Sequence, residues 1–139
     1  MAARLPEEIR PVLDNGIPAV MVTCSASGVP NTTIISQVYH VDETHVALSF
    51  QFFNKTIRNV RENPRANVTV QDIPGLTLWI LELEFERSET EGPIFDTMDM
   101  QIEAIASATG MSGIFKLRAA DIYRVLSVEK QPYRRPPGV

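Results

Sequence analysis

From Trp79 onward the chain alternates. Trp79, Leu81, Leu83 and Phe85 are separated by Ile80, Glu82, Glu84 and Glu86, and this period of two predicts a long strand with one buried face. Shorter apolar runs of the same kind predict strands at about Ala19–Cys24, Thr32–His40, His45–Gln51 and Ala66–Asp72, with a last one within Asp121–Lys130. A Ser/Gly/Pro turn makes the first two a hairpin, and "IPG" after Asp72 breaks the fourth. After Glu91-Gly92-Pro93 the period lengthens: Met98, Ile102, Ile105 and Ala106 recur at helical spacing and Gly110 supplies the stop. A second helical turn is expected through Gly113–Leu117. Leu5–Asn15 also has helical content, with Pro6 suited to a first turn, although Pro11 fits a helix interior badly. Most connections are too short for crossover helices, so the order of elements predicts a mainly β, α+β protein: a small barrel of antiparallel strands with short flanking helices.

Composition narrows this further. A chain of 139 residues with 44% hydrophobic residues and a net charge of -4 fits one domain, expected over residues 1–130, with the proline-rich 131–139 as a flexible tail. No apolar run reaches the roughly 18 residues of a membrane span, and acidic residues stand where a signal peptide needs its apolar core, so the expectation is a cytoplasmic protein without membrane contact. The single cysteine, Cys24, can form no internal disulfide, and the Asn-x-Thr triplets at Asn31, Asn54 and Asn67 read as coincidence. Mild acidity excludes a general polyanion binder. Any basic site has to be local.

Such a site stands in "SFQFFNKTIRNVRENPR", Ser49 to Arg65, where an apolar run gives way to Lys55, Arg58, Arg61 and Arg65. Asn54 is suited to cap a helix and Asn63-Pro64 to end it, because the residue before proline avoids helical angles. On a helix of about nine residues, Lys55, Arg58, Asn59 and Glu62 share one face and Ile57 and Val60 the other. Cations repel one another there, and the first turn already carries unpaired N–H groups and the positive end of the helix dipole. A phosphate would relieve that conflict, since its oxygens accept several charge-assisted hydrogen bonds at once. The residues alone leave open a plain solvated face with Glu62 partly neutralising Arg58. Nucleic acid is disfavoured, because basic residues interleaved with stacking aromatics are missing.

The stretch "HVALSFQFFNKTIRNVRENPRANVTV" resembles the core of the pyridoxamine 5'-phosphate oxidase-related proteins, the FMN-binding split-barrel family. Its marks are a strand ending in Ser49, a loop, Lys55 opening a short helix, and "NPRA" leading into the next strand; weaker likeness runs from about Pro6 to Glu129. The resemblance implies a split barrel, a homodimer, and FMN in a groove at the subunit interface. It implies that Lys55 and Thr56 hold the FMN phosphate, that Arg58 is its second cation, that Ser49 reaches the phosphate or ribityl chain, and that Ser36 and Gln37 face the flavin ring. Departures are plain too. Thr32 and Gln37 stand where the oxidases proper carry a basic residue and a lysine, and "KQPYRRPPGV" replaces their substrate-gripping C-terminal segment. Pyridoxamine phosphate is therefore not the expected substrate. The expectation is a small FMN-dependent oxidoreductase with a small-molecule electron donor or acceptor; the alternative is a flavin carrier or redox sensor, or a barrel that uses a deazaflavin or haem.

Other groups carry less. His40 and His45 lack the cysteines or carboxylates that would complete a metal site. Asp96, Asp99 and Glu103 share a helical face as dipole-favoured acids do. Cys24 alternates with Val20 and Val22, which predicts a buried, inert thiol. Trp79 is expected in the core or at a dimer contact, and Phe52 and Phe53 beside the helix start. No catalytic acid or base is identified.

Overall fold

One extended segment closes the molecule on itself. In the computed structural model, which describes residues 3–15, 19–50, 54–108, 110 and 116–133, a seven-stranded antiparallel sheet has the order β2-β1-β5-β6-β7-β4-β3. Its strands are β1 (Ala19–Cys24), β2 (Pro30–Ile35), β3 (Val38–Asp42), β4 (His45–Phe50), β5 (Arg65–Asp72), β6 (Thr77–Glu89) and β7 (Ala119–Pro132). The outermost strands, β2 and β3, are separated in sequence by Ser36 and Gln37 alone. The first half of this segment pairs with β1 and the second half with β4, so the sheet rolls into a split barrel. A single strand over Thr32–His40, expected from the apolar pattern, is thus two strands bent at Ser36-Gln37.

The buried face of each strand follows the period of two. Ala19 and Met21, Val46 and Leu48, Ala66, Val68 and Val70, Trp79, Leu81 and Leu83, and Tyr123 and Val125 fill the interior. Burying each large side chain contributes about 1.5–3 kcal/mol. The long β6–β7 ladder changes register between Glu82 and Leu83 and between Phe85 and Arg87, which lets two long strands coil round the core.

The helices cover the ends and one side. A 3₁₀ turn, Glu7–Ile9, leads into α1 (Arg10–Asn15). Pro11 falls in the first turn of that short helix, where its missing N–H costs nothing, and Ile9, Val12 and Leu13 enter the core. Helix α2 (Asn54–Glu62) lies against β1 and β2, with Val60 1% exposed. Helix α3 (Pro93–Ala108) packs Met98 and Ile102 on Ala47, Ala120 and Ile122, residues of β4 and β7 that face away from the barrel interior. It stops near Gly110, whose φ of 73° a glycine adopts without strain. The expected helical turn over Gly113–Leu117 falls mostly outside the described residues, as do Phe52 and Phe53.

Two expectations change. Strand β7 extends past residue 130, pairing Gln131 with Leu78 and Pro132 with Thr77, so the tail's first residues belong to the sheet; residues 134–139 lie outside the described part. Cys24 is half-buried, because the inward set of β1 is Ala19, Met21 and Thr23 and the thiol shares the outer face with Val20 and Val22. On that outer face the registers align Ile34, Val20, Thr69 and Ile80 in one row. Ile34 is 63% exposed. Among the described residues, no helix is long and apolar enough to cross a membrane.

Candidate functional site

Helix α2 divides its side chains by what they touch. Lys55, Arg58, Arg61 and Glu62 are exposed, whereas Thr56, Asn59 and Val60 are buried. The expected sharing of one face by Lys55, Arg58 and Asn59 fails at Asn59, which is 4% exposed and donates from Nδ2 to Thr23 Oγ1 of β1 at 3.1 Å. A second polar contact fixes the start of the helix: Asn31 Nδ2 of β2 donates to Thr56 Oγ1 at 3.2 Å. That contact uses a lone pair of the Thr56 hydroxyl and ties the helix start to β2.

Three cations line the exposed side of the helix. Lys55, Arg58 and Arg61 recur every third residue, and none forms an ion pair with another described residue. Glu62, the expected neutraliser of Arg58, instead accepts from the Ala26 backbone N–H in the β1–β2 turn at 3.4 Å. Arg65, the fourth cation of the stretch, belongs to β5 and lies 3.8 Å from Glu84. The helix therefore holds together through its buried polar face and presents uncompensated charge on the other.

Ser36 and Ser49 meet at the far end of β2. Their hydroxyl oxygens are 3.3 Å apart, with Ser49 2% exposed and Ser36 half-buried at the bend. Asn31, beside Thr56, and Ser36 are five residues apart, roughly 16 Å of extended chain at about 3.3 Å per residue. The expected contacts thus fall into two groups at opposite ends of one strand: Lys55, Thr56 and Arg58 at the start of β2, Ser36 and Ser49 at its end. Gln37 joins neither through its side chain. It is 5% exposed and donates from Nε2 to Gln101 Oε1 of α3, while its Oε1 is buried without a donor among the described residues. Leaving such an oxygen unsatisfied costs about 1–3 kcal/mol.

A buried carboxylate stands near this region. Asp121 of β7 is 5% exposed and accepts from Ser88 Oγ at 2.6 Å. Burial raises its pKa above the ordinary carboxylate value, and the Ser88 hydrogen bond and the field of Arg61 only partly offset that. Burial, together with the Asp121 charge, likewise pushes the Tyr123 hydroxyl far up. Sequence reasoning missed Asp121, because one carboxylate at a strand start reads as solvated. It also missed Asn31, which had been weighed only as a sequon.

The remaining candidates are peripheral. His45 lies between two carboxylates, Nδ1 3.1 Å from Asp42 Oδ1 and Nε2 2.9 Å from Glu86 Oε2. Burial would raise the Asp42 pKa, but hydrogen bonds from the Thr44 backbone, His45 and the Thr44 hydroxyl hold it below its ordinary value. Asp96, Asp99 and Glu103 are exposed, and among the described residues no cluster of three His, Cys, Asp or Glu is arranged to hold a metal. Trp79 is 3% exposed in the core, with Lys130 Nζ 5.3 Å from its ring centroid.

A family model described as pyridoxamine 5'-phosphate oxidase matches residues 5–126. No curated protein sequence matches the chain. Among solved structures, an FMN-binding protein from Syntrophomonas wolfei subsp. wolfei superposes with a TM-score of 0.68 at 16% identity, covering 92% of this chain and 91% of that one. An F420 reductase gives 0.65 at 13% identity, covering 90% and 98%. HutZ, the haem storage protein from Vibrio cholerae, gives 0.58 at 16% identity, covering 95% and 92%. At these identities the likeness is one of fold.

Proposed function

The chain belongs to the pyridoxamine 5'-phosphate oxidase family, and on that premise we propose that it binds FMN and acts as a small flavin-dependent oxidoreductase other than pyridoxamine phosphate oxidase. The observation that carries this reading is the row of Lys55, Arg58 and Arg61 on α2, which form no ion pair among the described residues. These residues fit the cofactor's phosphate: Lys55 and Arg58 supply charge, Thr56 a hydroxyl, and the helix start its N–H groups. At the other end of β2, Ser36, held by Ser49, and the backbone of Ser36 and Gln37 face the ring. Bound flavin supplies hydride and single-electron chemistry, so the protein's share is binding, orientation and electrostatics.

The functional unit is a homodimer in this reading, with FMN at the subunit interface. The row of Ile34, Val20, Thr69 and Ile80, in which Ile34 is exposed and the others half-buried, supports it, because apolar surface on one sheet face favours a second protein surface over water. A cytoplasmic location and a small-molecule electron donor or acceptor complete the proposal.

The test is a visible absorption spectrum of the purified protein before and after adding FMN, with any released cofactor identified by mass. A stoichiometric flavin band supports the reading. No uptake of FMN overturns it and moves attention to a deazaflavin or haem, the groups suggested by the names of the F420 reductase and of HutZ. Steady-state oxidation of NADH or NADPH by the loaded protein separates an enzyme from a flavin carrier or redox sensor. No turnover with any of several acceptors favours the carrier.

A further inference from the structure

Strand β7 ends beside the β5–β6 turn. Pro132 opposes Thr77, the Tyr133 N–H donates to the Leu76 carbonyl at 3.1 Å, and on the other side of β6 Thr77 opposes Asp72. Asp72 lines a cavity of about 550 Å³. Glu8, from the 3₁₀ turn before α1, is its second acid, and Pro11, Val12, Val20 and Ile34 give it apolar walls on α1, β1 and β2. No lysine or arginine is among the lining residues. Glu8 meets Lys130 Nζ at 3.3 Å, whereas Asp72 accepts from the Gly75 N–H and the Thr77 hydroxyl and forms no ion pair with another described residue.

Past Tyr133 the sequence reads Arg134-Arg135-Pro136-Pro137-Gly138-Val139, two cations followed by apolar residues with no acid. The cavity answers in the same order, with the Asp72 carboxylate nearest Tyr133 and apolar walls beyond it. We propose that this segment docks in the cavity of its own chain, its arginines on Asp72 and Pro136-Pro137 against Pro11, Val20 and Ile34. The distances allow it. Asp72 is two strand spacings from Tyr133, about 10 Å, and β2 is four, about 19 Å, while residues 134–139 when extended cover about 20 Å. Prolines hold such a segment extended beforehand, so docking costs it little chain entropy. A guanidinium forms charge-assisted hydrogen bonds with a half-buried carboxylate that has no other cation. The docked segment would cover the β2–β1 end of the outer apolar row and leave Thr69 and Ile80 to a second protein surface. This inference goes beyond the flavin reading and stands without it.

Thiol alkylation of the full chain tests it. In a Cys24→Ser background, which removes the one native cysteine, Ile34→Cys reports on the cavity wall, and Ser127→Cys, exposed on β7, is the reference. A segment docked nine-tenths of the time slows modification of the covered thiol about tenfold. Deleting residues 134–139 should therefore speed iodoacetamide modification of Ile34→Cys by that factor and leave Ser127→Cys unchanged. Arg134→Glu/Arg135→Glu should recover most of the same rate, and so should Asp72→Asn, which keeps an oxygen for the β5–β6 turn. Should Ile34→Cys fold poorly by circular dichroism, Pro11→Cys reads the cavity from α1. A rate that the deletion leaves unchanged overturns the proposal. So does a rate unchanged in both charge variants, and so does protection that fades as the protein is diluted, since a second copy would then be the occupant.

Discussion

Around β6, cations find carboxylates. Arg124 Nη2 lies 2.7 Å from Glu84 Oε1, Arg65 Nε lies 3.8 Å from Glu84 Oε2, and Arg87 Nε lies 3.1 Å from Glu89. On α2, Lys55, Arg58 and Arg61 stand three apart with no such partner among the described residues, and the acid on the same helix, Glu62, accepts from the β1–β2 turn. Both sets are solvent-facing, so screening alone does not separate them. What differs is that opposite charges meet around β6, whereas unpaired like charges on one helix face cost stability. Such a row, on a helix otherwise fastened by buried Thr56 and Asn59, is what the proposed anion site requires.

The largest expected effect tests that contrast directly. In Lys55→Ala/Arg58→Ala, each lost charge-assisted hydrogen bond is worth about 1.5–3 kcal/mol, so FMN affinity should fall about a hundredfold or more. Thermal stability should hold within about 0.5 kcal/mol, since exposed positions outside any pairing network tolerate change. Titration of FMN by fluorescence quenching, beside a melting curve, measures both. Unchanged affinity in the folded double variant would remove the phosphate assignment.

A second effect lies where the two regions meet, at Asp121, which accepts from Ser88 of β6 and feels Arg61 of α2. Its folded-state pKa is raised, chiefly by burial, above the ordinary carboxylate value. The native state therefore holds this proton more tightly than the unfolded state does. Stability is full at low pH and falls as pH rises from about 4 through the folded pKa, because ionisation puts an incompletely compensated charge in the barrel. Asp121→Asn keeps an oxygen for Ser88 and cannot ionise. Its melting temperature should match the wild type near pH 4 and exceed it at neutral pH. An equal or lower melting temperature at neutral pH would mean that Arg61 outweighs burial, and the α2 cations would then serve the fold after all.

The strand pattern was legible because alternation reports burial directly: Trp79, Leu81 and Leu83 read as inward and are. The bend at Ser36-Gln37 was not, since neither residue is a strand breaker and the closure depends on partners far away in sequence, β1 and β4. Cys24 shows the limit of parity. Alternation says which residues share a face and leaves open which face is inside when both carry apolar side chains. Asn59 failed for a related reason, because a helical wheel assigns polar residues to solvent and a buried asparagine is betrayed only by its partner, Thr23. The cationic half of the candidate site was legible, as charges at helical spacing are visible in one segment. The pairing of Ser36 with Ser49, and the turn of Gln37 toward α3, required the fold.

The smallest effect concerns the paired region. Arg124→Ala removes one of the two guanidinium groups around Glu84, whose side chain is 34% exposed. Double-mutant measurements on exposed pairs give about 0.2–1 kcal/mol, and Arg65 stays to hold the carboxylate, so the loss should fall within that range. It should shrink further in 1 M salt, where the Debye length is about 3 Å. FMN affinity should not change, because no anion-binding group is touched. The comparison is sharpest here: removing a cation on α2 should cost affinity and spare stability, and removing one on β7 should cost a little stability and spare affinity. If Arg124→Ala weakened FMN binding as much as Arg58→Ala, the contrast between free and paired cations would lose its meaning, and the flavin phosphate would have to be sought on the β6–β7 face instead.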